Sequence, residues 1–289
     1  NAFVFQYLIG AFTRLTDITN ELGDLAGYVH RVAEFQNLAK SMTENAPKCF
    51  PNPSFDEDCD GGDYELEVNN LSFAPPSDGA SFSNLVSELS FSLPRGRSLL
   101  VTGSSGTGKS SLLRCLAGLW IPRRGKMRWR SSPRGVMYLP QRAYFPVGGH
   151  SLKQQVVFPL SASSVSDQEN PRILSILHSV KLRKVIEKVP SLTAEVNFEW
   201  SEVLSPGEQQ LLSLGRLLFH RPSLAVLDEV SSSLSEDDEE LFYSLLQHHS
   251  INYISTGHRS TLYHYHDNRI ELSEERPCFL EILNEEIHI

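Results

Sequence analysis

Residues 103–110, GSSGTGKS, follow the apolar run SLLVT and precede SLLRCLAGLW. No other feature restricts the fold as much, because G-x-x-x-x-G-K-[ST] between a strand and a helix is a loop built to hold phosphate. Glycines at Gly103, Gly106 and Gly108 let the backbone curl so that successive N–H groups converge on an anion. The helix that follows adds the positive end of its dipole. Ser104, Ser105, Thr107 and Ser111 complete the candidate cradle. Lys109 is expected to reach the β and γ phosphates of ATP, and Ser110 to ligate Mg2+.

The flanking sequence supports that context. YELEVNNLSF, RSLLVTG and LAVLDE read as strands, whereas SSLLRCLAGLW and PGEQQLLSLGRLLFH read as helices. Strands alternating with helices give an α/β fold with a mostly parallel sheet. LAVLDE ends in Asp228 and Glu229, an apolar strand delivering one carboxylate for the magnesium shell and a second able to orient or deprotonate an attacking water. In LSPGEQQLLSLGR, Ser205 is an N-cap, Pro206 takes the first helical position and Glu208 completes a capping box, so a helix starts at Ser205. Its free N–H groups form an anion site wherever a phosphate can reach them.

Taken together, the phosphate loop, the LSPGE helix, the strand ending in DE and STGHRS with His258 resemble the nucleotide-binding domain of an ABC transporter, a P-loop NTPase fold, with the motifs in family order. Gln141 in MYLPQRAYF resembles the glutamine of the family's Q-loop, and the interval from Gln141 to Ser205 leaves room for a helical subdomain. The resemblance implies that Gln141 senses nucleotide and joins Ser110 and Asp228 around Mg2+. It likewise implies that Glu229 polarises water, that His258 grips the γ-phosphate, and that Ser205 and Gly207 touch ATP held by a second protomer. One copy of each motif then requires a dimer. Pro206 and Glu208 stand in a signature that is usually LSGGQ, and Ser235 replaces the aspartate of a D-loop that is often SALD. These departures point to slower turnover. The aromatic that would stack on adenine is absent near residue 75, leaving Phe73 as its substitute.

The first 42 residues are of a different kind. NAFVFQYLIG carries no charge, and from Arg14 the apolar residues Leu15, Ile18, Leu22, Leu25, Val29 and Val32 recur at steps of three and four. This is one helix, greasy and then amphipathic. Twelve apolar residues fall short of the ~20 that a span needs. DLAGYVHRVAEF resembles the cytosolic extension of the last membrane helix in subfamily D half-transporters, so residues 1–42 are expected to be the end of that helix with its extension. Residues 43–63, rich in proline, glycine and acid, read as a linker, and 64–289 as the nucleotide-binding domain with a tail, CFLEILNEEIHI, that adds a strand or short helix.

GTGKSSLLRCLAGLW, SLKQQVVFPL, FHRPSLAVLDE and ISTGHR also resemble subfamily D. LSFAPPSDG, NFEWSEV and the LSPGE signature resemble its lysosomal, cobalamin-exporting branch. The resemblance therefore implies a homodimer in the lysosomal membrane, this domain on the cytosolic side, with a lysosomal membrane partner protein a further expectation. The alternatives are the peroxisomal importers of fatty acyl-CoA, an endoplasmic reticulum location, a soluble ABC ATPase, or a scaffold that binds ATP with little turnover.

A net charge of −9 argues against a nucleic-acid partner. Cys49, Cys59, Cys115 and Cys278 lack metal-ligand spacing and read as free thiols of a reducing compartment. His248, His249, His264 and His266 read as scattered surface histidines, with no metal assigned to them.

Overall fold

The alternation of strand and helix signals is realised from residue 64 onward. A computed structural model of the chain describes residues 2–44, 64–75, 85–129, 135–273 and 280–282. It divides into two units, Asn1–Asn52 and Pro53–Ile289.

The first unit holds α1 (Ala2–Glu44), a single helix. Thr43 and Glu44, expected in the linker, are still helical. The rest of the expected linker lies outside the described residues, as do Cys49 and Cys59. Residues 3–37, 39 and 40 are all exposed, among them Phe3, Phe5, Phe12, Leu15 and Ile18. The hydroxyls of Thr13, Thr16 and Thr19 donate to the carbonyls of Ile9, Phe12 and Leu15 at 3.1, 3.0 and 2.8 Å. Among the described residues no helix is long and apolar enough to cross a membrane.

The second unit opens with β1 (Tyr64–Phe73) and β2 (Val86–Pro94), followed by β3 (Leu99–Gly103), α2 (Lys109–Leu116), β4 (Arg124–Trp129) and β5 (Val136–Leu139). A helical segment comes next: α3 (Leu152–Val157), α4 (Asn170–Ser179), α5 (Arg183–Glu187) and α6 (Trp200–Val203). Then come α7 (Pro206–His220), β6 (Leu224–Leu227), α8 (Glu236–His248), β7 (Asn252–Thr256), β8 (Asn268–Leu272) and β9 (Leu280–Ile282).

One sheet has the order β5-β6-β7-β3-β8-β9. It is parallel except that β9, from the expected tail, runs antiparallel to β8. Side chains alternate across its strands. Leu100, Ala225 and Leu227 join a core with α3, α4, α7 and α8, whereas Leu99, Val101, Leu224 and Val226 face a second core shared with α2 and β1. Both faces are covered, as a parallel sheet requires. The second sheet, β2-β1-β4, is antiparallel, and sequence reading found only its middle strand.

Helix α7 is wrapped by protein, with Gln210 through Phe219 buried. Each fully buried leucine in it contributes roughly 1.5–3 kcal/mol of apolar burial. Trp200, also fully buried, donates its indole N–H to the carbonyl of His150 at 2.7 Å. Two buried cations fix this segment. Lys153 reaches the carbonyl of Val165 and the Asp167 carboxylate at 2.8 and 2.9 Å. Arg216 donates to the carbonyls of Gln155 and Tyr144, both at 2.5 Å, and lies over the rings of Phe145 and Phe158.

His266 corrects an expectation, because it is buried rather than on the surface. Its Nδ1 pairs with the carbonyl of Leu262 at 2.7 Å and its Nε2 with Ser255 Oγ at 2.6 Å, and packing holds it there between Tyr243 and Tyr253. His248 and His264 are exposed, and His249 is half-buried. Cys115 is a buried free thiol whose pKa burial pushes up to about 12.

Candidate functional site

In the register of the parallel strands Leu139 stands beside Leu227, Leu227 beside Ser255, and Val101 beside Thr256. The carboxyl ends of β5, β6, β7 and β3 are therefore level, and the loops after them converge. Open α/β sheets hold ligands at this edge.

The loop after β3 begins at Gly103 with φ +140°, where a Cβ would stand 2.5 Å from the carbonyl oxygen of Leu272. Gly106 and Gly108 have φ of +89° and +94°, a left-handed backbone that only glycine adopts at little cost. Thr107 closes the turn by donating to the carbonyl of Ser104 at 2.9 Å. Lys109, the first residue of α2, is buried and donates to the carbonyls of Gly103 and Ser104, each at 2.9 Å. Ser104, Ser105 and Gly106, at the crest of the loop, are exposed.

Phe73 corrects another expectation. Its ring is fully buried, close under Gly108, and offers no face for a base to stack on. It supports the loop from below.

Asp228 is 3% exposed and anchored on both oxygens. Ser110 Oγ and Thr256 Oγ1 donate to Oδ1 at 2.8 and 3.1 Å, and the Tyr138 hydroxyl donates to Oδ2 at 2.8 Å. Burial, reinforced by this carboxylate, pushes the Tyr138 pKa up to about 12, so it stays a donor at neutral pH. Beside it Glu229 takes a left-handed backbone, φ 49°, held by its N–H on Thr256 Oγ1 at 3.0 Å. Its two carboxylate oxygens are shared. Gln141 Nε2 donates to Oε2 at 2.9 Å, and His258 Nε2 pairs with Oε1 at 3.2 Å. Gln141, Glu229 and His258 come from three different loops and meet in one hydrogen-bonded set.

Helix α7 supports this set. Gln210 Nε2 donates to the carbonyl of Gln141 at 2.8 Å. At its N-terminus Ser205 forms the capping box expected from the sequence, accepting from the Glu208 N–H at 3.3 Å while its own N–H donates to Glu208 Oε2 at 2.9 Å. Burial alone would raise the Glu208 pKa, but the Ser205 N–H and hydroxyl outweigh it and hold the carboxyl below its ordinary value. A Cβ on Gly207 would lie 3.3 Å from the carbonyl of Ser233, so the loop after β6 packs on this helix end. Among the described residues no hydrogen bond joins Ser205 or Gly207 to residues 103–111.

Tyr138, Thr256 and Gln210 were not singled out from the sequence. The first two are hydroxyl residues at or near the ends of β5 and β7, the strands on either side of β6. That position is the signal that would have identified them.

The donor set suits a hard cation. Ser110 Oγ, the Asp228 carboxylate and the Gln141 amide could offer oxygen alone, and Mg2+ characteristically takes one or two carboxylates and completes its shell with phosphate and water. The glycine-lined loop suits a polyphosphate: at its exposed crest a Cβ on Gly106 would meet nothing within 4 Å, so the backbone there is open to a ligand.

Fold and site together define an ATP-binding domain of the ABC type, and the chain belongs to the ABC transporter family, whose sequence profile matches residues 86–232. It is similar to the human lysosomal cobalamin transporter, with 36% identity over 94% of this chain and 46% of that protein. The mouse lysosomal cobalamin transporter is 38% identical over 92% of this chain and 45% of its own length. The chain thus spans less than half the length of these relatives. A bacterial Atm1-family ABC exporter with ATP bound shares the fold, at a TM-score of 0.63 and 20% identity over 77% of this chain and 39% of the exporter.

Proposed function

We propose that this chain is the ATP-hydrolysing part of an ABC half-transporter that moves cobalamin from the lysosome to the cytosol. The meeting of Gln141 and His258 on the two oxygens of Glu229 carries the hydrolytic half of the reading. Similarity to the lysosomal cobalamin transporters supports the cargo.

In this account the backbone N–H groups of 103–108, with Lys109, hold the ATP phosphates, and Ser111 follows them on the first turn of α2. Ser110, Asp228 and Gln141 hold Mg2+, which when bound draws off charge developing on the phosphate oxygens. Glu229 orients a water and takes its proton, and His258 binds the γ-phosphate side of the site. Gln141, whose Nε2 is on Glu229, would offer its amide oxygen to the cation, and so would report nucleotide to the rest of the domain. Lys109 now donates to loop carbonyls, and it exchanges them for phosphate oxygens.

Ser205 and Gly207 head a capped helix whose capping box takes up the N–H groups of Ser205 and Glu208 and leaves the Gly207 N–H outside it, and in this reading that N–H meets the nucleotide of a second copy. The functional unit is a homodimer. Helix α1 is the cytosolic end of a membrane helix with its extension. Similarity to the lysosomal cobalamin transporters supports placing the full-length protein in the lysosomal membrane, with this domain on the cytosolic side and a membrane partner protein as a further expectation.

The test is transport by the full-length protein in liposomes supplied with ATP, following cobalamin and a long-chain acyl-CoA in parallel. Cobalamin movement that is lost in Glu229→Gln is the expected result. Acyl-CoA movement instead would move the protein to the acyl-CoA importers, and no ATP-dependent movement of either would favour the scaffold reading.

A further inference from the structure

His258 is 56% exposed, and its side chain has one described hydrogen bond, to Glu229. A side chain so lightly held takes its position from its backbone. On one side is Gly257, which packs so closely on Leu262 that a Cβ would clash with the Leu262 Cδ1. On the other side is Arg259, whose guanidinium spans two elements. Its Nη1 donates to Glu239 Oε2 at 3.1 Å, and its Nη2 donates to the carbonyl of Leu234 at 2.9 Å.

Glu239 makes this attachment firm. It lies on α8 with 1% of its side chain exposed, and its other oxygen accepts from the Thr261 hydroxyl. Arg259 and Thr261, flanking the start of the turn after His258, are thus both tied to one buried carboxylate. Arg259 is the cation paired with it, and a buried carboxylate stripped of its partner is strongly unfavourable, so the clamp is not easily broken. The Leu234 carbonyl belongs to the loop after β6, and Ser232 and Ser233 of that loop reach the carbonyls of Glu229 and Pro206 at 2.8 and 3.5 Å.

We propose that Arg259 is a positioning residue for His258: by bridging buried Glu239 and the Leu234 carbonyl, it fixes the His258 backbone against the loop that carries Glu229. The proposal rests on the reading of Gln141, Glu229 and His258 as the hydrolytic set. Because Arg259 spends its guanidinium on Glu239 and the Leu234 carbonyl and acts through His258, its loss is felt in turnover and not in ATP binding. Lysine keeps the charge that Glu239 needs but cannot present two divergent N–H groups, so Arg259→Lys separates positioning from charge burial.

The test uses the full-length protein and compares kcat, KM for ATP and thermal midpoint in Arg259→Lys, His258→Ala and the double variant. Arg259→Lys is expected to lose about tenfold in kcat, with KM unchanged and a thermal midpoint near the parent's. The double variant is expected to be no slower than His258→Ala alone. Parental kcat in Arg259→Lys, a change confined to KM, or losses that multiply in the double variant would each overturn the proposal. If Arg259→Lys does not fold, Glu239→Gln, which retains Arg259 and an acceptor, is measured in its place with the same criteria. A His258→Ala protein that hydrolyses ATP like the parent would overturn the reading of the site itself, and the proposal with it.

Discussion

Ser110 Oγ donates to Asp228 Oδ1 at 2.8 Å, joining the first turn of α2 to the end of β6 across the sheet edge. The same carboxylate takes the Tyr138 hydroxyl on its other oxygen. Removing that hydroxyl leaves the buried acid less restrained without emptying the space. Tyr138→Phe is expected to cost about 1 kcal/mol of stability and to raise the Mg2+ concentration for half-maximal ATPase by about threefold. A Mg2+ titration of the full-length protein checks this, and an unchanged midpoint would contradict it.

Ser205 has two duties that experiment can separate. As an N-cap it satisfies the Glu208 N–H, so Ser205→Ala is expected to cost about 1 kcal/mol in urea unfolding of residues 64–289. As a contact to a second protomer's ATP it is also expected to support dimerisation. The same substitution should abolish the ATP-dependent dimer formed by Glu229→Gln, measured by light scattering. Loss of stability with dimerisation intact would remove the second duty.

Arg216 is a buried cation held by carbonyl oxygens and two aromatic rings, without a carboxylate in its described hydrogen bonds. Burial lowers its pKa to about 10, still far above neutrality. A lysine there reaches one carbonyl and abandons another. Arg216→Lys is expected to destabilise the domain by about 1–3 kcal/mol, read as a lower urea midpoint.

Burial also governs His266, lowering its pKa from 6.5 to about 4, with the Leu262 carbonyl and Asp267 opposing the shift. The unfolded chain therefore binds more protons than the folded one between those values. Stability from this group is complete above pH 6.5 and is lost as pH falls towards 4. The loss amounts to about 3 kcal/mol by pH 4. Urea midpoints across this range should fall with acidification in the parent and fall less steeply in His266→Gln.

Much of this was legible because its signals are local. The phosphate loop, the capping box at Ser205 and the full length of α7 follow from residues within a few positions of one another. β1 was legible for the same reason, with YELEVNNLSF bounded by turn residues. Its neighbour VSELSFSLP was missed although Leu89, Phe91 and Leu93 alternate along it, whereas RGKMRW, with little apolar alternation, becomes a strand by pairing with β1 from far along the chain. Phe73 and His266 were misread for a related reason: nothing near either in sequence reveals what covers it. The hydroxyls of Tyr138 and Thr256 converge on Asp228 only once three parallel strands are in register.

The central claim is that Glu229 serves hydrolysis while the loop around Lys109 serves binding. The most direct measurement is ATP turnover, with bound nucleotide quantified on the same sample, for full-length Glu229→Gln beside the parent and Lys109→Ala. Glu229→Gln is expected to keep its ATP and lose about 100-fold or more in turnover, whereas Lys109→Ala loses the nucleotide itself. Parental turnover in Glu229→Gln, or parental nucleotide occupancy in Lys109→Ala, would contradict the account.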